Sequence, residues 1–126
     1  DMIGNVEIDS GHKYLASLIN TIEAAINSKL GAGVVLNHVA ELYTFAKAVF
    51  KREEEIQRNI KFKNRTKHKE MHKTLIDQIY SMHEELEFAK EDKYQQAYQG
   101  VLIGTLTRWL FRHIEEDLKM REYFEE

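Results

Sequence analysis

A chain of 126 residues with 18 basic and 21 acidic side chains, net charge −3, is long enough for one domain and carries no general pull toward nucleic acid. It contains no cysteine, which excludes thiolate zinc sites, iron–sulfur clusters and cysteine nucleophiles, so any metal it holds must be bound through nitrogen and oxygen. No apolar run approaches the roughly 20 residues that cross a bilayer, and the opening DMIGNVEID lacks a charged-then-apolar leader pattern. The expectation is a soluble, cytoplasmic protein with no membrane partner.

Proline is absent, against an average usage of about 5%, which favours uninterrupted helices. In chain order, Leu15, Leu18, Ile19, Ile22 and Ile26 recur at helical spacing and predict a first helix, with Asp9 as its cap and His12 at its start. The run SKLGAG, Ser28 to Gly33, interrupts it. A second stripe, Leu36, Val39, Leu42, Ala46, Val49 and Phe50, leads into the charged run REEE that contains Glu53. After KFKNRT, Lys61 to Thr66, comes a third stripe of Leu75, Ile76, Ile79, Met82 and Leu86. The polar AKEDKYQQ, Ala89 to Gln96, separates it from a fourth, Leu102, Leu106, Trp109, Leu110 and Ile114. Short connections make neighbouring helices antiparallel, so the expected fold is all-α, an up-down-up-down four-helix bundle. The lysine- and arginine-rich stretch RNIKFKNRTKHKEMHK, Arg58 to Lys73, reads as a solvated turn and helix flank rather than a partner-binding surface.

Within that stretch, HKEMH sets His68 and His72 four residues apart. On a helix both rings then lie on one face, one turn apart, and can reach one common atom. Taken alone such a pair is more often a solvated face than a metal site. The zinc-protease helix has glutamate directly after its first histidine, and Lys69 stands there instead.

Topology adds what spacing cannot. In an antiparallel bundle the start of helix one, the end of helix two, the start of helix three and the end of helix four share one end of the molecule. Those places hold His12, Glu53, the His68 and His72 pair, and His113 with Asp117, again four apart and on the face of Leu106 and Trp109. A lone interior histidine is usually satisfied by a backbone carbonyl, but six donors at one height are far less often coincidental. Carboxylates able to bridge, with imidazoles around them, suit two iron or manganese ions. His38 and His83, toward the opposite end, have no carboxylate set and read as structural or exposed.

IDSGHKYL at Ile8 to Leu15, FKREE at Phe50 to Glu54, HKEMH, and WLFRHIEED at Trp109 to Asp117, in that order, resemble the hemerythrin family, in particular its bacterial single-domain and sensor forms. The resemblance spans nearly the whole chain and implies a single domain over residues 1–126. It also implies a non-haem di-iron centre that binds dioxygen end-on at one iron, with reversible two-electron transfer giving a bound hydroperoxide. By that resemblance His68, His72 and His113 would hold one iron and His12 the other. Glu53, Asp117 and an oxo or hydroxo group would bridge the two, with Val49, Phe50 and Trp109 lining the ligand pocket.

One position departs from the family pattern. Where the family usually has a histidine four residues ahead of the bridging glutamate, this chain has Val49, which cannot ligate. The iron bound by His12 would therefore be more open and labile. Gln57 and Lys63 are smaller departures, expected to alter the exit of helix two and not the chemistry. An open, oxidisable site favours an oxygen or redox sensor over a reversible carrier or storage protein. An oxidase or peroxidase ranks third, for want of a general acid beside Val49. LKMREYFEE continues past Asp117 with helix-forming residues and no glycine stop, which fits either a frayed end or a link to a C-terminal output domain.

Overall fold

Every predicted stripe lies on a helix. The computed structural model describes residues 2–88 and 95–125 and contains α1 (Val6–Asn27), α2 (Ala32–Asn59), α3 (Arg65–Phe88), α4 (Gln95–Asp117) and a 3₁₀ helix, Leu118–Phe124. No strand occurs among the described residues. α1 packs on α2 and α4, and α3 packs on α2 and α4, closing a four-membered bundle. Positions 89–94 of the predicted α3–α4 connection lie outside the described residues.

The main core runs between the helices and includes Leu15, Ile19 and Ile22 of α1, Leu36, Val39, Leu42, Ala46 and Phe50 of α2, Leu75, Ile79, Met82 and Leu86 of α3, and Leu102, Leu106 and Trp109 of α4. Leu18, Ile26, Val49, Ile76 and Leu110 pack against it while half-buried, because a helix turning 100° per residue leaves the flanks of a wide stripe at the interface edge. Trp109 Nε1 donates to the Leu75 carbonyl at 2.8 Å, which satisfies the indole and pins α4 to α3.

α1 and α2 both end in a Schellman arrangement with lysine, not glycine, in the left-handed position. Lys29 has φ 55° and Lys61 φ 57°. Leu30 N donates to Ala25 O and Phe62 N to Gln57 O, the six-residue closure of that motif. At the end of α2 this turn drives Phe62 inward, where it joins Ile3, Ile8, Ile56 and Met120 in a second, smaller apolar cluster at the base of the bundle.

One expectation is corrected. Asp9 is not the cap of α1: the helix starts three residues earlier, capped by Asn5, whose side chain accepts from Ile8 N at 3.1 Å. The buried Asp9 carboxylate instead accepts from Ile3 N (2.7 Å) and Gly4 N (3.1 Å) and holds that segment over the base. Residues 118–124 follow α4 directly. They tighten into the 3₁₀ helix because Met120 is drawn, fully buried, into the base cluster, with Tyr123 and Phe124 packed alongside.

Candidate metal centre

The two apolar clusters are separated by one polar layer, and helical periodicity explains its position. Along α1 the inward residues read Ile8, His12, Leu15; along α2, Phe50, Glu53, Ile56; along α3, His68, His72, Leu75; along α4, Trp109, His113, Asp117, followed by Met120 of the 3₁₀ helix. Steps of three or four keep each polar residue on the same face as its apolar neighbours. All six donors are buried, His12 the most accessible at 5% and His113 and Asp117 at 0%. The start of α1, the end of α2, the start of α3 and the end of α4 thus meet in one layer, as an up-down-up-down path requires.

Nε2 of all four imidazoles faces the two carboxylates. His12 Nε2 lies 2.6 Å and His113 Nε2 2.8 Å from Asp117 Oδ2, while His68 Nε2 contacts Asp117 Oδ1. His113 Nε2 also lies 3.1 Å from Glu53 Oε2, and His72 Nε2 3.2 Å from Glu53 Oε1. The donors sort into two sets, His12 with His113 and His68 with His72, and Glu53 and Asp117 belong to both. The resemblance allots His113 to the second set. Its ring centroid is 5.1 Å from that of His12 and 5.2 Å from that of His72, so it stands between them.

Burial raises the Glu53 carboxyl above its ordinary range, an effect the nearby His113 charge only partly offsets. Burial also lowers His72. For His113, burial pulls down but the Glu53 and Asp117 charges win, and the imidazole is pushed up to about 10. For Asp117, burial pushes up but is overcome by the His113 charge and by contacts from His113, His12 and His68, leaving the carboxyl well below the usual range. The neighbouring carboxylates thus favour a proton on His113 when no metal is bound. A divalent cation would replace that proton, so loading releases acid.

The donor set fits such cations. Glu53 Oε1 and His72 Nε2, 3.2 Å apart, are buried and aim into the layer without forming a well-aligned hydrogen bond to each other or to any other described atom. Buried polar atoms are rarely left orphaned without a ligand, ion or water. Nitrogen and carboxylate oxygen without sulfur suit iron or manganese.

Phe50 stacks on His72 (4.2 Å between centroids, 11° interplanar) and on His113 (4.5 Å), sealing the layer from the main core, and Trp109 lies behind it at 5.8 Å. Val49 faces elsewhere, into a cavity between α1 and α2. The three residues expected to share one pocket therefore do not: Phe50 and Trp109 form the roof and Val49 a side wall.

Two partners escaped the sequence reading. Glu54 Oε2 accepts from His72 Nδ1 at 2.8 Å, which fixes the tautomer that leaves Nε2 free for a cation. The available signal was position: one residue beyond Glu53 is 100° around α2, facing α3. Gln57 is fully buried, its Nε2 3.5 Å from Met120 Sδ and its Oε1 without a partner, so it belongs to the base below the centre and not merely to the helix exit. Lys63 is exposed, its backbone N–H donating to Tyr123 Oη at 3.1 Å. His38 is paired at 3.2 Å with Glu41 of its own helix.

A four-helix bundle with two carboxylates shared between two imidazole pairs defines a class of bundle-core cation-binding proteins. Residues 4–119 match the family model of the hemerythrin HHE cation-binding domain, and the chain belongs to that family. Comparison with curated proteins and with solved structures gives no significant match.

Proposed function

We propose that the chain holds two iron ions between its histidine pairs, takes up dioxygen there, and acts as an oxygen or redox sensor. The carrying observation is the buried layer of four imidazoles around two shared carboxylates, with orphaned polar atoms aimed inward. Iron cycling between Fe²⁺ and Fe³⁺ would supply the two electrons that dioxygen accepts. The chain's own residues do the rest. Glu53 and Asp117 would bridge, Phe50 excludes water from the roof, and Glu54 holds His72 in register.

The segment beyond Asp117 supports the sensor reading. This carboxylate is the last residue of α4 and directly precedes the 3₁₀ helix, whose Met120 is fully buried in the base. A change in how Asp117 is held between oxidation states would act on that packed segment without passing through a flexible link. The absence of an imidazole at Val49 leaves room beside the His12 set, which favours rapid oxidation over reversible carriage. Complete burial of the donors is the observation that favours a reversible carrier as the second reading.

Metal content per chain, with the ultraviolet–visible spectrum of the air-oxidised protein, tests the centre. Near two irons with oxo-bridge charge-transfer bands is expected; one iron or fewer sinks the two-electron reading. Timing the decay of the reduced spectrum in air separates the roles. Persistence for hours would place the carrier first, and sustained multi-turnover consumption of peroxide would establish an enzyme.

A further inference from the structure

Several cavities among the described residues border the metal layer or its roof, and they differ in charge. The groove between α3 and α4, about 860 Å³, has Leu75, Met82 and Trp109 in its lining but none of the six donors. The groove between α2 and α3, about 600 Å³, touches His72 beneath Lys47, Lys51, Lys69 and Lys73, against which stand Glu54 and Glu70, but Phe50 also lines it and lies flat on the imidazole. The cavity between α1 and α2, about 400 Å³, touches Glu53 and is walled by Ile8, Gly11, Val49 and Ile56. Glu53 is 1% exposed, and its Oε1 meets only His72 Nε2, at 3.2 Å and without hydrogen-bond alignment.

Gly11 and Val49 set the width of this third cavity together. A Cβ on Gly11 would stand 3.0 Å from Val49 Cγ1, tighter than ordinary contact, so the passage depends on both residues staying small. Arg52, another lining residue, crosses from α2 to α1, giving Nε and Nη2 to the two oxygens of Glu7 at 2.5 and 2.9 Å, and Nη1 to Glu55 at 2.9 Å. The bidentate fork fixes the guanidinium in place. The cluster as a whole carries −1, but Glu55 faces the neighbouring cavity of Lys51, Arg58, Arg65 and Lys69, so of the three charges Glu7 and Arg52 line this passage, and Glu7 is the one that offsets the guanidinium there.

We propose that small molecules reach the metal layer through the α1–α2 cavity, past Val49 and Gly11, and that the Glu7–Arg52–Glu55 cluster makes the passage selective for neutral diatomic molecules over anions. The inference rests on the di-iron reading above. A neutral diatomic loses little on entering apolar walls. An anion gives up hydration there and meets a like charge on the way in. Arg52, Glu7 and Glu55 are each about half exposed, so water and salt limit the discrimination contributed by a single charge to roughly threefold. The lysine-rimmed groove would give the opposite preference, which makes the two routes distinguishable.

Stopped-flow association of azide and of nitric oxide with the iron-loaded protein tests this. Glu7→Gln keeps an acceptor for Arg52 but removes one negative charge. Azide association should rise roughly threefold at low salt, with nitric oxide unchanged. Val49→Leu, which narrows the passage where Val49 faces Gly11, should slow both ligands, and Lys69→Gln should slow neither. In metal-free protein under xenon pressure, the Val49 and Ile56 methyl resonances should shift, and Val49→Leu should abolish the Ile56 response. Unchanged azide rates in Glu7→Gln, or slowing by Lys69→Gln, overturn the route while leaving the centre standing. Iron-loaded protein that binds neither azide nor nitric oxide removes the centre and the route together.

Discussion

Glu54 and His72 meet across the α2–α3 interface: the carboxylate accepts from Nδ1 at 2.8 Å, and Nε2 of the same ring points at Glu53. The side chain that sets this tautomer is 28% exposed, so the centre is adjusted from the surface. Glu54→Ala should weaken metal binding about 10- to 100-fold with little change in the helical fold. Competition with a chelator of known affinity measures it, and an unaltered affinity would assign Glu54 to solvation alone.

Val49 lies one turn before Glu53 and lines the α1–α2 cavity opposite Gly11, which has no side chain to oppose a larger residue. Val49→His should add a seventh donor beside His12. The expected result is about tenfold slower loss of one iron to a chelator and slower oxidation in air. If the two proteins release both ions at the same rate, the open-site account of this chain is wrong.

The charge arrangement predicts how metal-free protein responds to pH. His113 titrates at about 10 in the fold and near 6.5 unfolded, so its stabilisation is complete below pH 6.5 and is lost as pH rises toward 10. Glu53, raised by burial, acts in the same sense from lower pH upward. Asp117 is lowered, and its stabilisation is present above its ordinary value of 3.8 and lost as pH falls. The unfolding free energy of metal-free protein, measured in urea, should therefore fall between pH 6.5 and 10 by an amount on the order of a few kcal/mol. His113→Gln should flatten that limb, and a wild-type stability that stays level there would refute the assignment of the proton to His113.

Phe62 is 1% exposed and its ring meets His68 edge-on at 5.6 Å and Tyr123 at 5.3 Å. Phe62→Ala should cost about 3–5 kcal/mol and speed metal release. Phe62→Leu, keeping most of the volume, should recover most of the stability. Thermal melts with and without iron check both, and equal melting of the alanine variant and the wild type would show that the base does not bear on the fold.

The main core could be read directly, because Leu15 to Ile22, Leu36 to Phe50 and Leu102 to Trp109 follow a single period without proline to break it. The six polar donors could be placed at one end because alternating helix directions leave no other arrangement. What sequence could not show depends on long-range packing. Lys29 and Lys61 occupy left-handed positions where glycine would have signalled the helix stop. Asp9 looks like a cap by residue type, yet Asn5 takes that role and frees Asp9 to hold backbone from outside the helix. Leu118 to Phe124 have the composition of a continuing helix, and only the space beside Phe62 and Ile3 explains their tighter winding. Glu54 stood inside a recognised motif, but its partner comes from another helix.

The polar layer also bears on how the molecule holds together as a unit. The large apolar cluster and the small one beneath it are separate groups, with six ionisable or hydrogen-bonding side chains between them. Without cations, cohesion across this plane rests on the histidine–carboxylate contacts around Glu53 and Asp117 and on helix backbones that run through it. With cations, ligands from all four helices are cross-linked at a single height. The metal then decides whether the two parts melt as one cooperative body or whether the lower part opens while the upper remains folded.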